Sequence, residues 1–186
     1  MRNVLYAYNI SLDGYVEGPD GRFDWMVPDE EVHNYFTELH RRIGTLVYGR
    51  RMWETMAPFW FTADEDTSLP DHIREYGRVW KQAEKIVVSR TLDQVEGARL
   101  VKDNVVEEIR KLKEGDGKLI DVGGATLAAT LNEAGLIDEY MCMILPVVVG
   151  GGKPMFMNID SPKHLKLVEV RHFNSGTVML HYKKAG

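Results

Sequence analysis

The sequence predicts an α/β sandwich on a mixed, mostly parallel sheet of about eight strands, and three observations predict it. Short apolar runs alternate with segments of helical period over the first three quarters of the chain. Several of these runs end in glycine immediately before a helix. The last quarter instead reads as two strands joined at Asn174-Ser175-Gly176, an antiparallel hairpin signal. With 186 residues, no repeat and no linker-like stretch, residues 1–186 are expected to form one domain.

The elements follow in order. Val4 to Ile10 is a strand that runs into Ser11-Leu12-Asp13-Gly14 and Gly18-Pro19-Asp20-Gly21, a long turn-rich loop. After Pro28-Asp29, the apolar residues Val32, Tyr35, Phe36, Leu39 and Ile43 recur at helical spacing, with Glu30 and Glu31 where a helix N-terminus favours negative charge; Gly44 ends this helix. Thr45 to Gly49 is a short strand. Arg50 to Met56 begins a second helix, stopped by Pro58, and Ile73, Tyr76 and Trp80 mark a third.

Lys85 to Ser89 and Ala98 to Val101 are strands. Between Asp103 and Gly115, Val105, Ile109 and Leu112 mark a helix with an Asp/Asn cap and a glycine stop. Leu119 to Val122 is a strand that meets Gly123-Gly124 and turns into a helix carrying Leu127, Leu131 and Ala134, closed by Gly135. A long β-rich run covers Glu139 to Val149, and Leu165–Phe173 and Thr177–Lys183 complete the hairpin. Four or five helices result.

Composition excludes several functions. The net charge of −5 argues against a surface that attracts nucleic acid at large, leaving room for a local basic pocket. No apolar run reaches the roughly 20 residues that span a bilayer, and the N-terminus turns polar too soon for a signal peptide, so a cytoplasmic protein is expected. The single Cys142 permits no internal disulfide and no CxxC zinc site. No metal is expected, since the six histidines are dispersed and no H-E-x-x-H occurs; G-x-G-x-x-G and P-loop patterns are also missing.

Three strand ends carry related chemistry. Tyr48-Gly49-Arg50-Arg51 puts a glycine and two guanidinium groups where a strand becomes a helix. Val88-Ser89-Arg90 adds a hydroxyl and a third Arg. Val122-Gly123-Gly124-Ala125-Thr126 gives a helix N-terminus with little side chain in the way, open to close approach by a pyrophosphate. Singly, each is ordinary turn chemistry or a solvated charge. Together, at successive strand ends, they suit a dinucleotide with an additional phosphate.

These segments resemble the dihydrofolate-reductase-like superfamily, through Ser11-Leu12-Asp13-Gly14, Val47 to Glu54, Val87 to Thr91 and Ile120 to Gly124. Leu131 to Glu139 and Pro146 to Gly152 are similar to the RibD C-terminal domain family, and the resemblance runs in order over nearly the whole chain. It implies a dihydrofolate-reductase-like sandwich and an NADPH-dependent reductase without flavin or metal. It also implies roles: Gly49, Arg50 and Arg51 toward cofactor phosphates, Ser89 and Arg90 toward the 2′-phosphate, and Gly123, Gly124, Ala125 and Thr126 toward the pyrophosphate.

In RibD enzymes the substrate is 5-amino-6-(5-phosphoribosylamino)uracil, a riboflavin precursor. The resemblance therefore implies hydride transfer to a small heterocyclic or sugar-imine substrate, with a dihydrofolate or pterin reductase as alternative; a non-catalytic nucleotide-binding module is the alternative of another class. The zinc deaminase half found in bifunctional relatives cannot be built with one cysteine. Two positions depart from the RibD pattern: Ala7-Tyr8-Asn9-Ile10 lacks the basic residue usual before Ser-Leu-Asp-Gly, and Met52 replaces a hydroxyl residue.

Phe23 to Glu30 resembles the Trp-x-x-Pro-x-Asp loop of dihydrofolate reductases, which makes Glu30 a candidate proton relay and Trp25 a candidate pocket wall. Asp13 could orient a substrate hydroxyl, though Asp-Gly is first a turn former. Asn9, an amide on an apolar strand, needs a hydrogen-bond partner and is a candidate substrate contact. The apolar run from Met141 to Val149 offers an edge in need of cover, and RibD-like reductases imply a homodimer.

Overall fold

The computed structural model describes residues 1–185. Eight strands form one sheet: β1 (Val4–Ser11), β3 (Ile43–Gly49), β4 (Glu84–Val88), β5 (Arg99–Val101), β6 (Leu119–Gly123), β7 (Glu139–Leu145), β9 (Leu165–His172) and β10 (Val178–Lys184). Their spatial order is β5-β4-β3-β6-β1-β7-β10-β9, parallel from β5 to β7 and antiparallel through β10 and β9. A second, two-stranded sheet pairs β2 (Tyr15–Glu17) with β8 (Lys153–Pro154).

Five helices cover the sheet. α1 (Glu30–Arg41), α2 (Arg50–Trp60) and α3 (Asp71–Gln82) pack on one face, where Val32, Leu39, Trp53, Ala57 and Trp80 meet Leu5, Leu46 and Val87. α4 (Val105–Glu114) and α5 (Ala125–Glu133) pack on the other, through Ile109, Leu127 and Leu131 against Val4, Val47 and Val122. The central parallel strands are buried from both sides, which is why they read as continuous apolar runs.

Because β6 lies between β3 and β1, the β1-to-β3 connection through α1 passes over one face and the β6-to-β7 connection through α5 over the other. The two crossovers diverge and leave a crevice beyond the carboxyl ends of the strands.

Several local expectations need correction. Ile43 is the first residue of β3 and α1 ends at Arg41, since Ile43 is buried against the sheet core. α2 continues through Pro58 to Trp60. Pro58 and Glu54 are both exposed, so the Glu54 carbonyl left without an N–H donor faces solvent. β7 stops at Leu145, before Pro146. It is also not an edge: β1 and β10 flank it, and the open edge of the sheet is β9.

Asn104 stands at the N-cap of α4 in the left-handed region (φ 57°) and makes no capping bond. The loop at 150–152 has a structural job: Gly152, at φ 122°, lies so close to Glu17 that an added Cβ would be 2.0 Å from its carbonyl oxygen. Only glycine lets β8 cross β2 there.

A candidate dinucleotide cleft with a buried polar inner wall

A cleft of about 770 Å³ opens along the carboxyl ends of β3, β4, β6 and β1. Its outer half is made of backbone and exposed cations. Three helices begin there, α2 after Gly49, α4 after Asn104 and α5 after Gly124, and none has a side-chain cap. α1 is capped by Asp29 Oδ1 accepting from the Val32 N–H at 2.8 Å, while α3, which follows Pro70 away from the cleft, also lacks a side-chain cap. Uncapped N–H groups and helix dipoles thus converge on one space, an arrangement suited to anions.

Every residue expected to meet the cofactor lines this cleft: Gly49, Arg50, Arg51, Ser89, Arg90, Gly123, Gly124, Ala125 and Thr126. Gly124 adopts φ 114°, a conformation that admits glycine, and the Gly49 N–H lies 3.8 Å from where its Cβ would be. Gly123 is glycine for a packing reason as well: a Cβ would come within 2.4 Å of the Tyr48 ring. Ser89 Oγ accepts from the Thr91 and Leu92 N–H groups at 3.2 Å, which shapes the β4 turn beneath Arg90.

The cations are held loosely. Arg50 pairs with Glu54 at 3.3 Å, Arg51 with Glu17 at 3.5 Å and Arg90 with Asp103 at 3.6 Å, all on exposed guanidinium groups; Arg90 is 85% exposed. Such pairs contribute little to stability, so an arriving phosphate can take over the guanidinium groups at small cost. Lys102 and Lys153 extend the basic rim.

The inner half is different. Ala7 and Asn9 of β1, Tyr48 of β3 and Asp121 of β6 form its floor, with Phe36 and His33 of α1, Met56 and Trp60 of α2 and Tyr76 of α3 opposite. Asp121 is buried with Oδ1 unpartnered, and burial pushes its carboxyl up to about 7, against the pull of the Ala7 and Val122 N–H groups. Burial likewise pushes His33 and His40 down to about 4, so both rings are neutral at pH 7.

His40 Nδ1 lies 2.9 Å from the Phe36 carbonyl oxygen, which can only accept; the proton therefore sits on Nδ1, and Nε2 accepts from Tyr76 OH, also at 2.9 Å. Tyr48 OH accepts from Trp80 Nε1 at 3.0 Å. These bonds fix the aromatic wall. Tyr8, beside Met52, is pushed up to about 12 mainly by burial, with the carboxylates of Glu17 and Asp121 adding to the shift.

Asn9 lines the cleft with a buried, unpartnered Oδ1. Three other expected site residues lie outside the lining. Glu30, 72% exposed, is the first residue of α1, with its carboxylate 4.0 Å from His72. Its first-turn position explains the charge, and the structure does not carry it to the cleft. Asp13 accepts from the N–H groups of Val149 (3.2 Å) and Gly150 (2.8 Å), tying the first loop to the 150–152 loop. Trp25 is half-buried beside Gly18, an anchor for its own loop, while its neighbours Phe23 and Met26 reach the cleft.

The sequence reading missed Asp121, His33, Lys102 and Asn104. Asp121 had a usable signal, a charge inside the apolar strand Leu119-Ile120-Asp121-Val122, of the same kind that singled out Asn9.

The chain belongs to the RibD C-terminal domain family, whose model matches residues 2–179. A relative from Bacillus subtilis (strain 168), "Uncharacterized protein YyaP", is 36% identical over 183 residues, which cover 97% of this chain and 94% of the relative. Among solved structures, the fold is shared with dihydrofolate reductase from Enterococcus faecalis complexed with NADP(H) (TM-score 0.67, 19% identity, 99% of this chain and 97% of that one). It is also shared with a Thermotoga maritima diaminohydroxyphosphoribosylaminopyrimidine deaminase/5-amino-6-(5-phosphoribosylamino)uracil reductase (TM-score 0.70, 17% identity), where 99% of this chain covers 57% of that one. The fold is thus dihydrofolate-reductase-like.

Proposed function

We propose that the protein is an NADPH-dependent reductase of the riboflavin-biosynthesis type, which transfers hydride to a small heterocyclic or sugar-imine substrate. The observation that carries this reading is the convergence of three uncapped helix N-termini on a single cleft with a basic rim. The residues fit the dinucleotide. Gly49 and Gly124 leave backbone N–H groups open to a pyrophosphate, with Thr126 beside them, and Arg50 and Arg51 stand at the start of α2. Arg90, above the Ser89 turn, has a free guanidinium face for a 2′-phosphate.

When bound, the nicotinamide supplies the hydride. The chain's own contribution is to orient the two ligands and to keep water from the inner half, which Phe36, Met56, Trp60 and Tyr76 wall off. The lone buried Cys142, pushed up to about 11 by burial, is no reactive thiol and agrees with a cytoplasmic, reducing home. We further infer a homodimer: β9 is the open edge, with Leu165, Leu167, Val168 and Val170 exposed on it, and a second copy is the self-complementary cover for such a strand.

Titration with NADPH, followed by tryptophan fluorescence and melting temperature, tests the reading. Saturable binding that raises the melting temperature is expected, with NADH weaker. No response to either dinucleotide would leave only the family resemblance of the fold.

A further inference from the structure

Among the described residues six buried side-chain polar atoms lack a hydrogen-bond partner: Asn9 Oδ1, Asp121 Oδ1 and His33 Nδ1 line this cleft, while Trp25 Nε1, Asp64 Oδ1 and Arg74 Nε lie outside it, the last two on residues held in ion pairs with Lys81 and Asp71. Leaving such a group unpaired costs about 1–3 kcal/mol, more if it is charged. The three in the cleft belong to three different elements, so one local distortion does not explain them. A polar ligand entering the cleft would satisfy all three at once.

Register places two of them on one surface. Asp121 lies level with Leu5 of β1 and Leu46 of β3, and steps of two residues from these reach Ala7, Asn9 and Tyr48. Asn9 and Asp121 therefore share the sheet face that floors the inner cleft. Tyr48 of β3 stands on the same face, with Tyr76 of α3 and the neutral rings of His33 and His40 on α1 also lining the inner cleft, whereas Tyr6 and Tyr8 alternate with Asn9 along β1 and belong to the other face of the sheet.

No cation acts on Asp121: burial sets its carboxyl, and the Arg and Lys residues of the cleft belong to the outer rim. A phosphate placed in the inner half would meet a carboxyl group and no positive charge, at a cost the fold does nothing to offset. A ring nitrogen or exocyclic amine bearing hydrogen would supply the missing donors.

We propose that Asp121, together with Asn9, is the specificity-determining pair of the inner cleft, accepting N–H donors from an uncharged or singly cationic nitrogen heterocycle and rejecting a phosphoryl group from that half. The inference rests on the reductase reading and deepens it by stating which edge of the substrate the protein holds. Any phosphate on the substrate would have to lie at the basic rim.

Calorimetric titration of the full chain with three probes tests this, each with and without NADPH: 2,4-diaminopyrimidine, rich in N–H donors; 1,3-dimethyluracil, a ring of the same size with none; and ribose 5-phosphate. The diaminopyrimidine should bind at least tenfold more tightly than the dimethyluracil. Asp121→Asn and Asn9→Leu should each weaken it about tenfold, while NADPH affinity stays within twofold.

Equal binding of the two rings, displacement of the diaminopyrimidine by ribose 5-phosphate, or undiminished binding in both variants would overturn the proposal. If Asp121→Asn does not fold, Asn9→Leu and the probe pair still decide it. A protein that binds NADPH but no diaminopyrimidine refutes this inference alone. One that selects the diaminopyrimidine but ignores NADPH supports the inference and refutes the reductase reading.

Discussion

The two halves of the cleft are built on opposite principles. The outer half uses backbone N–H groups at helix starts and cations that stay in solvent, each already in a weak ion pair. The inner half uses buried titratable side chains, neutral histidines and a carboxyl without a counter-charge, held among tyrosines and tryptophans. An anion suits the first and an uncharged ring the second. On the proposed reading, this contrast would sort two ligands of different charge within one crevice.

The largest effect should come from the residue where the halves meet. Gly123→Val places a Cβ 2.4 Å from the Tyr48 ring, which is itself bonded to Trp80 at 3.0 Å. Overpacking of this kind costs about 1–3 kcal/mol or more, a fall of at least several degrees in melting temperature. Both NADPH binding and the inner wall should suffer. A variant of unchanged melting temperature would show that Tyr48 moves freely and that the halves are not coupled.

The next effect separates the inner groups by the sign of their pH dependence. His33 and His40 have folded values below the usual imidazole value, so unfolding takes up protons and their contribution is lost as pH falls from about 6.5 toward 4. Asp121 has a folded value raised to about 7, so its contribution is complete below the usual carboxylate range and lost as pH rises through 7. In the window from about pH 4 to 6.5 they oppose each other. Asp121→Asn should therefore steepen the acid loss of stability by about one proton, or about 1.4 kcal/mol per pH unit, in urea unfolding at pH 4.5, 5.5 and 6.5. An unchanged slope would mean that Asp121 is already ionised in the fold.

Arg90→Ala sharpens the outer half. Loss of a charge-assisted bond to a 2′-phosphate is worth about 1.5–3 kcal/mol, so NADPH affinity should drop roughly tenfold to a hundredfold while NADH affinity and melting temperature stay put. Equal losses for both dinucleotides would move the 2′-phosphate elsewhere on the rim. The smallest effect lies outside the cleft altogether. Val168→Glu with Val170→Glu on β9 should leave NADPH affinity and stability nearly unchanged and convert a dimer to a monomer in light scattering; a wild-type monomer would contradict the pairing.

The same division explains what could be read from sequence. The mixed, mostly parallel sheet, the antiparallel hairpin and the nine glycine-, arginine- and strand-end residues that line the cleft were legible because such residues announce themselves locally. The inner wall was not, apart from Asn9. His33, Tyr48, Tyr76 and Asp121 lie far apart in the chain, and each alone looks like a core residue. Glu30 lies outside the cleft lining, where the first turn of a helix gives its carboxylate a reason of its own, and so does Asp13, whose two oxygens accept from the Val149 and Gly150 N–H groups at the distant 150–152 loop. Asn104 misled in the reverse direction: its residue type promises a cap, yet its left-handed backbone leaves the α4 N-terminus open to the cleft.

NADPH titration of the wild-type chain, read against the same titration of Gly124→Val, tests the central claim most directly. At φ 114° a β-branched residue is strained, and its side chain would project near the Gly49 N–H. The account predicts saturable binding by the wild type and its near loss in a variant that still folds. Equal NADPH affinity in the two proteins, or none in the wild type, would contradict it.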